Sequence, residues 1–408
     1  MIKPEILSPA GNIEKLYAAV RFGADAVYLA GKRYGMRAGA GNFTADELDS
    51  AIKYAHNNGV KVYVTLNTMP RDDEYGELKK YISQLDEMKP DAYIVSDVGV
   101  MQTLHELCPD AVIHVSTQAS VVSSKTADTY MRLFCVKRIV LARELSLCEI
   151  AKIRKNTSPE LELETFVHGA MCVSYSGRCL LSNHFTGRDG NRGECAQPCR
   201  WNYKLFKLEE SKDETRRPGI EQTEDGTFIM SSRDMCMIEH IPELCEAGIS
   251  SFKIEGRMKS TYYTAATALA YRQAVDAYVK SPESYETDPL LVELLESVTH
   301  RKYDTGYYFD KPMSDAKIVD EPGYITERPY FGIVTGYDKE SGYAEIRQKN
   351  KTVCGDKVRF LTPSGDTAPF RIEEILNEEK ESVISTPHPK MLFYIKTPYP
   401  VGEGDILH

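Results

Sequence analysis

The first 260 residues alternate between two patterns of hydrophobic and polar positions. Short, continuous apolar runs, typical of strands buried on both faces, precede stretches in which apolar residues recur about every 3.6 positions, as on one face of a helix. This alternation predicts parallel strand–helix units. The predicted strands are Glu5–Leu7, Ala26–Leu29, Lys61–Leu66, Ala92–Val95, Val112–Val115, Arg138–Leu141, Leu161–Val167 and Ser251–Ile254. The predicted helices between them are Asn12–Phe22, Ala45–Asn57, Tyr75–Met88, Gly99–Leu107, Ser124–Phe134 and Ser146–Lys155.

Eight strands with helices between them favour a closed (β/α)₈ barrel, a TIM-like α/β fold, over an open sheet. An open dinucleotide-binding sheet normally carries the motif G-x-G-x-x-G after its first strand, and no such motif follows the first predicted strand. A long helix, Ser260–Val279, is predicted to complete the barrel domain, residues 1–280. A polar, proline-bearing connecting segment, residues 281–329, follows it.

The regular alternation is broken once, after the seventh predicted strand. Residues 168–236 form a long insertion before a predicted helix, Met237–Ala247. Two strand-like runs, residues 201–210 and 226–232, flank a charged tip at residues 211–226. A long excursion inside a compact domain is usually functional or disordered, and the cysteines in this insertion favour a functional one.

The pattern changes again after the connecting segment. From Phe331 onward, short alternating strand signals recur about every ten residues, which predicts a small C-terminal β-barrel at residues 330–408. Such barrels often bind RNA or partner proteins, but the fold alone does not establish either function.

The composition indicates a globular protein of more than one domain, with 408 residues, 42% of them apolar and 27% charged. The N-terminal stretch MIKPEILSPAG lacks the apolar core of a signal peptide, and no apolar run is long enough to span a bilayer. We therefore expect a cytoplasmic protein without membrane contact, in which the ten cysteines are not structural disulfides.

The charge distribution restricts the contacts that the protein makes with nucleic acid. A net charge of −10 argues against non-specific polyanion binding by the whole surface. The net charge is still compatible with a local basic patch that contacts RNA, because cationic residues outnumber Asp189 and Glu194 within the insertion. From charge alone, a solvated loop is the favoured interpretation of that patch. Its cations are Arg178, Arg188, Arg192, Arg200 and Lys204.

Five cysteines cluster in the insertion and at its end: Cys172, Cys179, Cys195, Cys199 and Cys236. Thiolates are soft ligands that suit zinc or iron–sulfur clusters. A structural zinc site usually shows two CxxC pairs, and no pair here has that gap, so the spacing favours a [4Fe–4S] cluster, with zinc as the alternative. Cys236 lies beside Arg233 at the start of a predicted helix, where a thiolate is favoured. We therefore predict the ligands Cys172, Cys179, Cys195 and Cys236, with Cys199 as the spare cysteine.

Polar residues also follow several predicted strands, at the end of the barrel where TIM-barrel chemistry takes place. For Ser8 and Asp97, helix capping is the favoured interpretation. The other residues at the strand ends and in the long second loop are Arg37, Asn67, Ser116, Gln118, Arg143, His168, Glu255 and Arg257. Among these we predict catalytic roles for His168 and Glu255. Substrate binding is predicted for Arg37, Arg233, Arg257 and Gln118.

Several long motifs resemble one known family. The motifs are ETFVHGAMC (Glu164–Cys172), GRCLLS (Gly177–Ser182), LSPAG (Leu7–Gly11), STQAS (Ser116–Ser120), GECAQPCRW (Gly193–Trp201) and KIEGRMKS (Lys253–Ser260). They resemble the signature of the collagenase-like peptidase family U32. The resemblance runs from the first strand into the C-terminal domain and therefore covers nearly the whole chain.

The resemblance implies an activity other than the one in the family's name, because better-understood relatives hydroxylate RNA or a ubiquinone precursor. The overall length and the C-terminal domain are most similar to the branch that hydroxylates the tRNA wobble uridine to 5-hydroxyuridine and depends on prephenate. A [4Fe–4S] cluster is implied on the positions of Cys172, Cys179, Cys195 and Cys236. With it, Arg37, Arg233 and Arg257 are expected to bind a carboxylate such as that of prephenate, or RNA phosphate.

The expected macromolecular partner is the tRNA anticodon region. Arg188, Arg192, Arg200 and the C-terminal domain would guide the anticodon loop. Trp201 and Tyr175 either stack on an extruded base or pack inside the insertion, and packing is the favoured role.

Two alternative functions stay open. One is a collagenase-like peptidase, in which Cys172 and His168 would form a nucleophile–base pair. The other is a non-catalytic subunit of a hydroxylase, which would act as part of a homodimer or a heterodimer.

Overall fold

The computed structural model describes residues 3–37, 39–201, 222–223, 226–227, 232–309, 325 and 328–408. The strand-like runs and the charged tip predicted over residues 201–232 therefore lie almost entirely outside the described residues. The described part of that stretch includes a short antiparallel pairing of Gln222–Thr223 with Gly226–Thr227.

The strands of the first 304 residues follow the predicted order closely. In chain order they are β1 (Glu5–Pro9), β2 (Ala26–Leu29), β3 (Lys61–Leu66), β4 (Ala92–Val95), β5 (Ile113–Val115), β6 (Arg138–Val140), β7 (Glu162–Ala170), β8 (Gln222–Thr223), β9 (Gly226–Thr227), β10 (Asp234–Cys236), β11 (Ser251–Ile254) and β12 (Tyr303–Asp304). Strands β1 to β7 pair in sequence order, and β11 pairs with both β1 and β7. All of these pairings are parallel, so eight strands close the predicted (β/α)₈ barrel.

Helices cover the outside of the barrel. They are α1 (Ile13–Arg21), α2 (Ala45–Asn57), α3 (Tyr75–Glu87), α4 (Val98–Leu107), α5 (Ser124–Phe134), α6 (Leu147–Lys155), α7 (Leu181–Thr186), α8 (Ile241–Glu246), α9 (Thr261–Lys280) and α10 (Pro289–Ser297). Thr44 and Glu47 form a capping box at the start of α2. No described helix has both the length and the apolar character that a membrane crossing requires.

Buried ion pairs fill the barrel near the N-terminal ends of its strands. Arg138 on β6 contacts Glu5 on β1 at 2.6 Å and Glu164 on β7 at 3.0 Å. Lys253 on β11 contacts the same Glu164 at 2.7 Å. Because each charge has an opposite charge within contact distance, the cost of removing these groups from water is offset. This network closes one end of the barrel and leaves its C-terminal end for a site.

Residues beyond the eight-stranded barrel extend its sheet. Strand β10 pairs antiparallel with the end of β7, and β12 then pairs parallel with β10. The segment predicted only as a connection, residues 281–329, contains helix α10 and strand β12. Arg301, just before β12, holds Asp234 of β10 through a buried ion pair at 2.6 Å. The segment is therefore partly built into the barrel domain.

The C-terminal domain is an antiparallel sheet around its own apolar core. Its strands are β13 (Gly332–Tyr337), β14 (Tyr343–Gln348), β15 (Lys357–Val358), β16 (Phe360–Thr362), β17 (Gly365–Asp366), β18 (Phe370–Arg371), β19 (Ile375–Leu376), β20 (Ser382–Val383), β21 (Leu392–Lys396) and β22 (Ile406–Leu407). Eight of them form one sheet in the order β17-β16-β22-β13-β14-β21-β19-β20, and β15 pairs with β18. Among the described residues, the edge strands β17 and β20 do not pair with each other, so the domain is a sheet without the closure predicted for a barrel.

Candidate active site at the mouth of the barrel

A small cavity of about 40 Å³ lies inside the barrel at the C-terminal ends of the strands. Polar and aromatic side chains from several strands line it, among them Tyr28, Thr65 and Gln118. Its charged lining is unbalanced, because Arg37, Arg143, Arg257 and Lys253 face a single carboxylate, Glu255. We name this space the inner cavity.

A larger cleft of about 310 Å³ lies next to the inner cavity, and Arg37 and Glu255 line both spaces. The insertion contributes Gln197 and Arg200 to this outer cleft, and the loop after β11 contributes Gly256, Met258, Lys259 and Ser260. The outer cleft has the size of a small-ligand site. Arg37 and Glu255 therefore stand where the two spaces meet.

The charge of Glu255 is set by the cations around it. Burial alone would raise the pKa of its carboxyl, but Arg37, Arg143, Arg257 and Lys253 hold the pKa below its ordinary value. The Arg37 Nε atom lies 3.6 Å from Glu255 Oε1, which is longer than a normal hydrogen bond. Glu255 is therefore ionised near neutral pH and is only loosely paired.

The two other arginines of the inner cavity are held by backbone carbonyls and aromatic rings. Arg257 donates from Nη2 to the Met36 carbonyl, and its guanidinium lies 5.9 Å from the centre of the Tyr28 ring. Arg143 donates to the Ala170 carbonyl at 3.0 Å and to Ser176 Oγ at 2.6 Å. These contacts fix both cations without neutralising them, so their charge is available to a bound anion.

The insertion packs directly on this end of the barrel. Gly193, with a φ of 97°, lies so close to the loop at residues 35–37 that a Cβ atom would come within 3.0 Å of the Gly35 carbonyl. Arg192 binds both carboxylate oxygens of Glu74 at 2.8 and 2.9 Å. A glycine at the contact point and a bidentate ion pair beside it hold the insertion over the cavity.

Four cysteines of the insertion are linked by the electrostatic influence of three of them on the fourth, Cys199. Burial foremost, together with the thiols of Cys172, Cys195 and Cys179, raises the pKa of Cys199 to about 11, while Arg200 opposes the rise. The charge of Arg37 is in turn influenced, after Glu255, by Cys172 and Cys195. These electrostatic effects place the four thiols within range of one another's charge, and Cys172 and Cys195 within range of Arg37.

Backbone contacts shape this group of thiols. Gln197 has a left-handed backbone, with a φ of 58°, and donates its N–H to Cys195 Sγ at 3.4 Å. The side chain of Asn191 accepts from the Cys179 N–H at 3.2 Å and donates to its carbonyl at 2.9 Å. Among the described residues, no three His, Cys, Asp or Glu side chains are arranged to hold a single metal ion. Thiolates are ligands of both zinc and iron–sulfur clusters, so the donor chemistry of these cysteines fits either group.

Comparison with known proteins places the chain in a family. Residues 11–317 match Peptidase family U32, and residues 326–408 match the Peptidase family U32 C-terminal domain. The chain belongs to Peptidase family U32.

Three family relatives cover most of the chain. The tRNA hydroxylation protein P1 of Bacillus subtilis is 37% identical over 97% of this chain and 92% of its own length. The tRNA hydroxylation protein P of Escherichia coli is 36% identical over 95% of this chain and 92% of its own length. A protein named Collagenase from Porphyromonas gingivalis is 30% identical over 92% of this chain and 90% of its own length.

In this family member, Cys236 lies away from the other predicted ligands. It pairs with His168 across the β10–β7 ladder and lies against Tyr271 of α9. Burial raises the pKa of its thiol to about 12, and no other cysteine is among the groups that shift it most. The ligand set Cys172, Cys179, Cys195 and Cys236 therefore stays a prediction, and Cys199 is the cysteine whose charge Cys172, Cys179 and Cys195 influence.

His168 also lies outside both spaces of the site. Its side chain is only 1% exposed, and its ring nitrogens lie 3.4 Å from Tyr271 Oη and 3.3 Å from Tyr303 Oη. Burial lowers the pKa of His168 to about 3. A neutral histidine enclosed by tyrosines does not support the predicted catalytic role, nor a pairing with Cys172.

The predicted substrate-binding residues are only partly brought together. Arg37, Arg257 and Gln118 line the inner cavity. Arg233 lines neither space of the site and lies 3.6 Å from Asp304. Thr65 and Lys253 line the site but were not predicted from the sequence. A lysine within the otherwise apolar run of β11 could have indicated that Lys253 belongs to it.

The predicted RNA-contact residues divide in a similar way. Arg188 is exposed, but Arg192 is occupied by Glu74, and Lys204 lies outside the described residues. Tyr175 and Trp201 are 46% and 39% exposed, while Trp201 also packs within the insertion, where its Nε1 donates to the Ala196 carbonyl at 3.2 Å. The aromatic surface of the insertion therefore faces solvent.

Proposed function

We propose that the chain hydroxylates the wobble uridine of tRNA to 5-hydroxyuridine, in a reaction that depends on an iron–sulfur cluster and on prephenate. The observation that carries the proposal is the group of four cysteines held over a cationic cavity at the catalytic end of a barrel. The two relatives named as tRNA hydroxylation proteins support it, because they match this chain over most of both lengths.

We place the [4Fe–4S] cluster on Cys172, Cys179, Cys195 and Cys199. Four thiols near one another supply the full protein ligand set of such a cluster, and the Gln197 N–H beside Cys195 supplies the kind of hydrogen bond that tunes its potential. When bound, the cluster would supply one-electron redox chemistry at the rim of the cavity. Zinc is the less favoured occupant, because these cysteines lack the two CxxC pairs that a structural zinc site usually shows.

The charged residues of the site would bind and orient a small anionic co-substrate. Prephenate carries carboxylates, and Arg37 and Arg257 present guanidinium groups that suit them. The ionised Glu255 keeps Arg37 at the junction of the two spaces and is positioned to accept a proton there. The outer cleft is large enough for a ring-sized group, so we assign it to the extruded uracil base.

The exposed face of the insertion would contact the anticodon loop. Arg178 and Arg188 are exposed and suit phosphate contacts, and Tyr175 and Trp201 are exposed and suit base stacking. Because the basic patch is local, binding would be confined to this face in spite of the net charge of −10.

Nucleoside analysis of tRNA tests the proposal. We expect a strain that lacks this chain to lose 5-hydroxyuridine and its derivatives. Rescue by the wild-type chain in a host without other relatives would show that the chain acts by itself. A strain with an unchanged nucleoside profile would refute the proposal, and rescue that needs a second chain would favour the partner-subunit alternative.

A pair of cysteine variants tests the ligand set independently. Cys199→Ser should lower iron and sulfide content after anaerobic purification and should fail to restore 5-hydroxyuridine. Cys236→Ser, which changes a thiol bonded to Tyr271, should retain both properties. The reverse result would return the fourth ligand to Cys236.

A peptidase is the second candidate, because the relative named Collagenase matches the chain over most of both lengths. The described residues do not pair Cys172 with His168, so a peptidase would need another nucleophile or a metal. Gelatin digestion by the anaerobically purified protein tests this function. Cleavage by a protein without iron, even after cluster reconstitution, would favour the peptidase over the hydroxylase.

A further inference from the structure

We propose that the inner cavity is a subsite for the head of a small hydroxy acid, a carboxylate together with a hydroxyl group that donates a hydrogen bond. Three of the residues that line it carry a buried polar atom with no hydrogen-bond partner among the described residues: Thr65 Oγ1, Gln118 Oε1 and Arg257 Nη1. Buried polar groups are normally paired, so three unpaired ones around one cavity indicate a missing ligand.

The chemistry of these atoms defines the ligand. Arg257 Nη1 is a cationic donor and selects an anionic acceptor. Gln118 Oε1 is an acceptor and selects a donor, which a plain carboxylate cannot provide. Thr65 Oγ1 can serve as donor or acceptor and is compatible with either group. A carboxylate with a hydroxyl nearby satisfies all three atoms at once.

The volume of the inner cavity limits what can enter it. One water-sized group needs roughly 10–15 Å³ of such space, so about 40 Å³ admits a carboxylate and little more. A nucleobase cannot enter, and the rest of the ligand must stay in the outer cleft of about 310 Å³. The size therefore separates the head of a small co-substrate from the RNA base.

The charges around the inner cavity make the burial of an anion favourable. Lys253 is already paired with Glu164 at 2.7 Å. Arg37, Arg143 and Arg257 have one carboxylate between them, Glu255, which lies 3.6 Å from Arg37. A ligand carboxylate would supply the negative charge that this group of arginines lacks and would offset the cost of its own desolvation.

The inference goes beyond the proposed function and rests on it only in placing the ligand at the same site. It does not take the ligand to be prephenate, whose hydroxyl lies across the ring from its carboxylate. Direct binding tests it without any turnover. Glycolate and acetate are matched probes, since both carry the carboxylate and only glycolate carries the hydroxyl. We expect the full-length, anaerobically purified protein to bind glycolate about tenfold more tightly than acetate in ligand-observed NMR titrations, because acetate leaves Gln118 unpaired.

Three variants separate binding from folding. Thr65→Val removes a hydroxyl without a partner, so it should not lower the unfolding temperature of the free protein, yet it should weaken glycolate binding several-fold. Gln118→Leu should reduce glycolate affinity to the level of acetate and leave acetate unchanged. Arg257→Met should abolish binding of both probes, whereas Arg33→Met, at an arginine that lines neither space of the site, should bind both like the wild type.

Equal affinity of the wild type for glycolate and acetate would overturn the inference, and so would identical binding by Arg257→Met and Arg33→Met. The proposed function and the proposed subsite can each be contradicted without the other. Normal hydroxy-acid binding without tRNA hydroxylation would contradict the proposed function alone. Normal tRNA hydroxylation by an Arg257→Met protein would contradict this subsite alone.

Discussion

At the scale of single residues, position at a strand end did not decide the role of a side chain. Asp97 caps α4, as predicted, through a bond from the Val100 N–H at 3.0 Å. His168 follows Glu164 and Phe166 at every second position of β7, and both of those side chains face the inside of the barrel. Because alternate side chains of a regular strand face the same side, His168 would be expected there as well. The β7–β11 ladder shifts register between Lys253 and Ile254, which turns His168 to the outside. A bulge of this kind is not visible in the hydrophobic pattern.

The buried His168 predicts a specific loss of stability in acid. Its folded pKa of about 3 lies below the ordinary value of 6.5, so its contribution is complete above pH 6.5 and is lost as the pH falls through the folded value. Between pH 7.5 and 5.5 we expect His168 to cost the wild type about 1–2 kcal/mol of unfolding free energy. His168→Phe should lack this loss in urea unfolding, because it removes the titrating group but keeps an aromatic ring.

The variant is a fair comparison because both tyrosine hydroxyls keep a second partner. Tyr271 donates to the Val167 carbonyl at 2.7 Å, and Tyr303 donates to the Leu295 carbonyl at 2.8 Å. The variant should also retain tRNA hydroxylation. An acid dependence identical to that of the wild type, or a loss of hydroxylation in a folded variant, would contradict the structural role of His168.

At the scale of elements, the strands and helices of the barrel could be predicted from hydrophobic period, but the ligand set of the insertion could not. The sequence offers five cysteines for the four ligand positions of a cluster. The turn of the chain at Gln197 brings Cys199 toward the other thiols. That turn is a left-handed backbone followed by a 3₁₀ turn, Pro198–Arg200, and neither has a periodic signature. In the proposed ligand set, local turn geometry rather than residue type therefore determines which cysteine is the fourth ligand.

The bidentate Arg192–Glu74 pair predicts that the insertion depends on helix α3 for its position. The hydrogen bond to Arg192, foremost, holds the pKa of Glu74 below its ordinary value, although both side chains are about 30% exposed. Partly exposed ion pairs contribute about 0.5–1 kcal/mol to stability. The Arg192→Met variant should therefore release iron to an anaerobic chelator about two- to fivefold faster than the wild-type protein. Glu74→Gln should have a similar effect.

Arg188→Met provides the matched control, because Arg188 is an exposed arginine of the same insertion. It should release iron at the wild-type rate. Equal rates for Arg192→Met and Arg188→Met would show that the ion pair does not position the cysteines.

At the scale of the whole molecule, the change of hydrophobic pattern after Pro329 predicted a second unit. The pattern carries no information about how that unit contacts the barrel. The contacts between the two are made by residues distant in sequence. Arg21 of α1 binds Asp405 at 2.6 Å, and Tyr262 of α9 lies 3.0 Å from His408 Nδ1. Such pairs follow from the folded surfaces of both units, which no single-chain period encodes.

The network around Asp366 predicts that one carboxylate couples the C-terminal sheet to the barrel. Asp366 lies 2.8 Å from His408 Nε2, and His408 in turn contacts Tyr262 of the barrel. Asp366 also binds Arg328, which reaches Glu293 of α10. Burial would raise the pKa of Asp366, but the bond to His408 and the nearby arginines hold it below its ordinary value, so the carboxylate stays charged.

Asp366→Asn should therefore loosen the contact between the two units at neutral pH, because it removes the charge shared by His408 and Arg328. We expect amide hydrogens of β22 and of the first turn of α9 to exchange several-fold faster, which corresponds to a local loss of about 1–2 kcal/mol. The centre of the barrel, for example β4, should be unaffected. Glu379→Gln, at an exposed position of the same sheet, is the charge-matched control. Faster exchange in both variants, or in neither, would show that Asp366 does not link the two units. An effect of Asp366→Asn confined to the interface would mean that the C-terminal domain is held at the barrel by the charge of Asp366, which binds both His408 and Arg328.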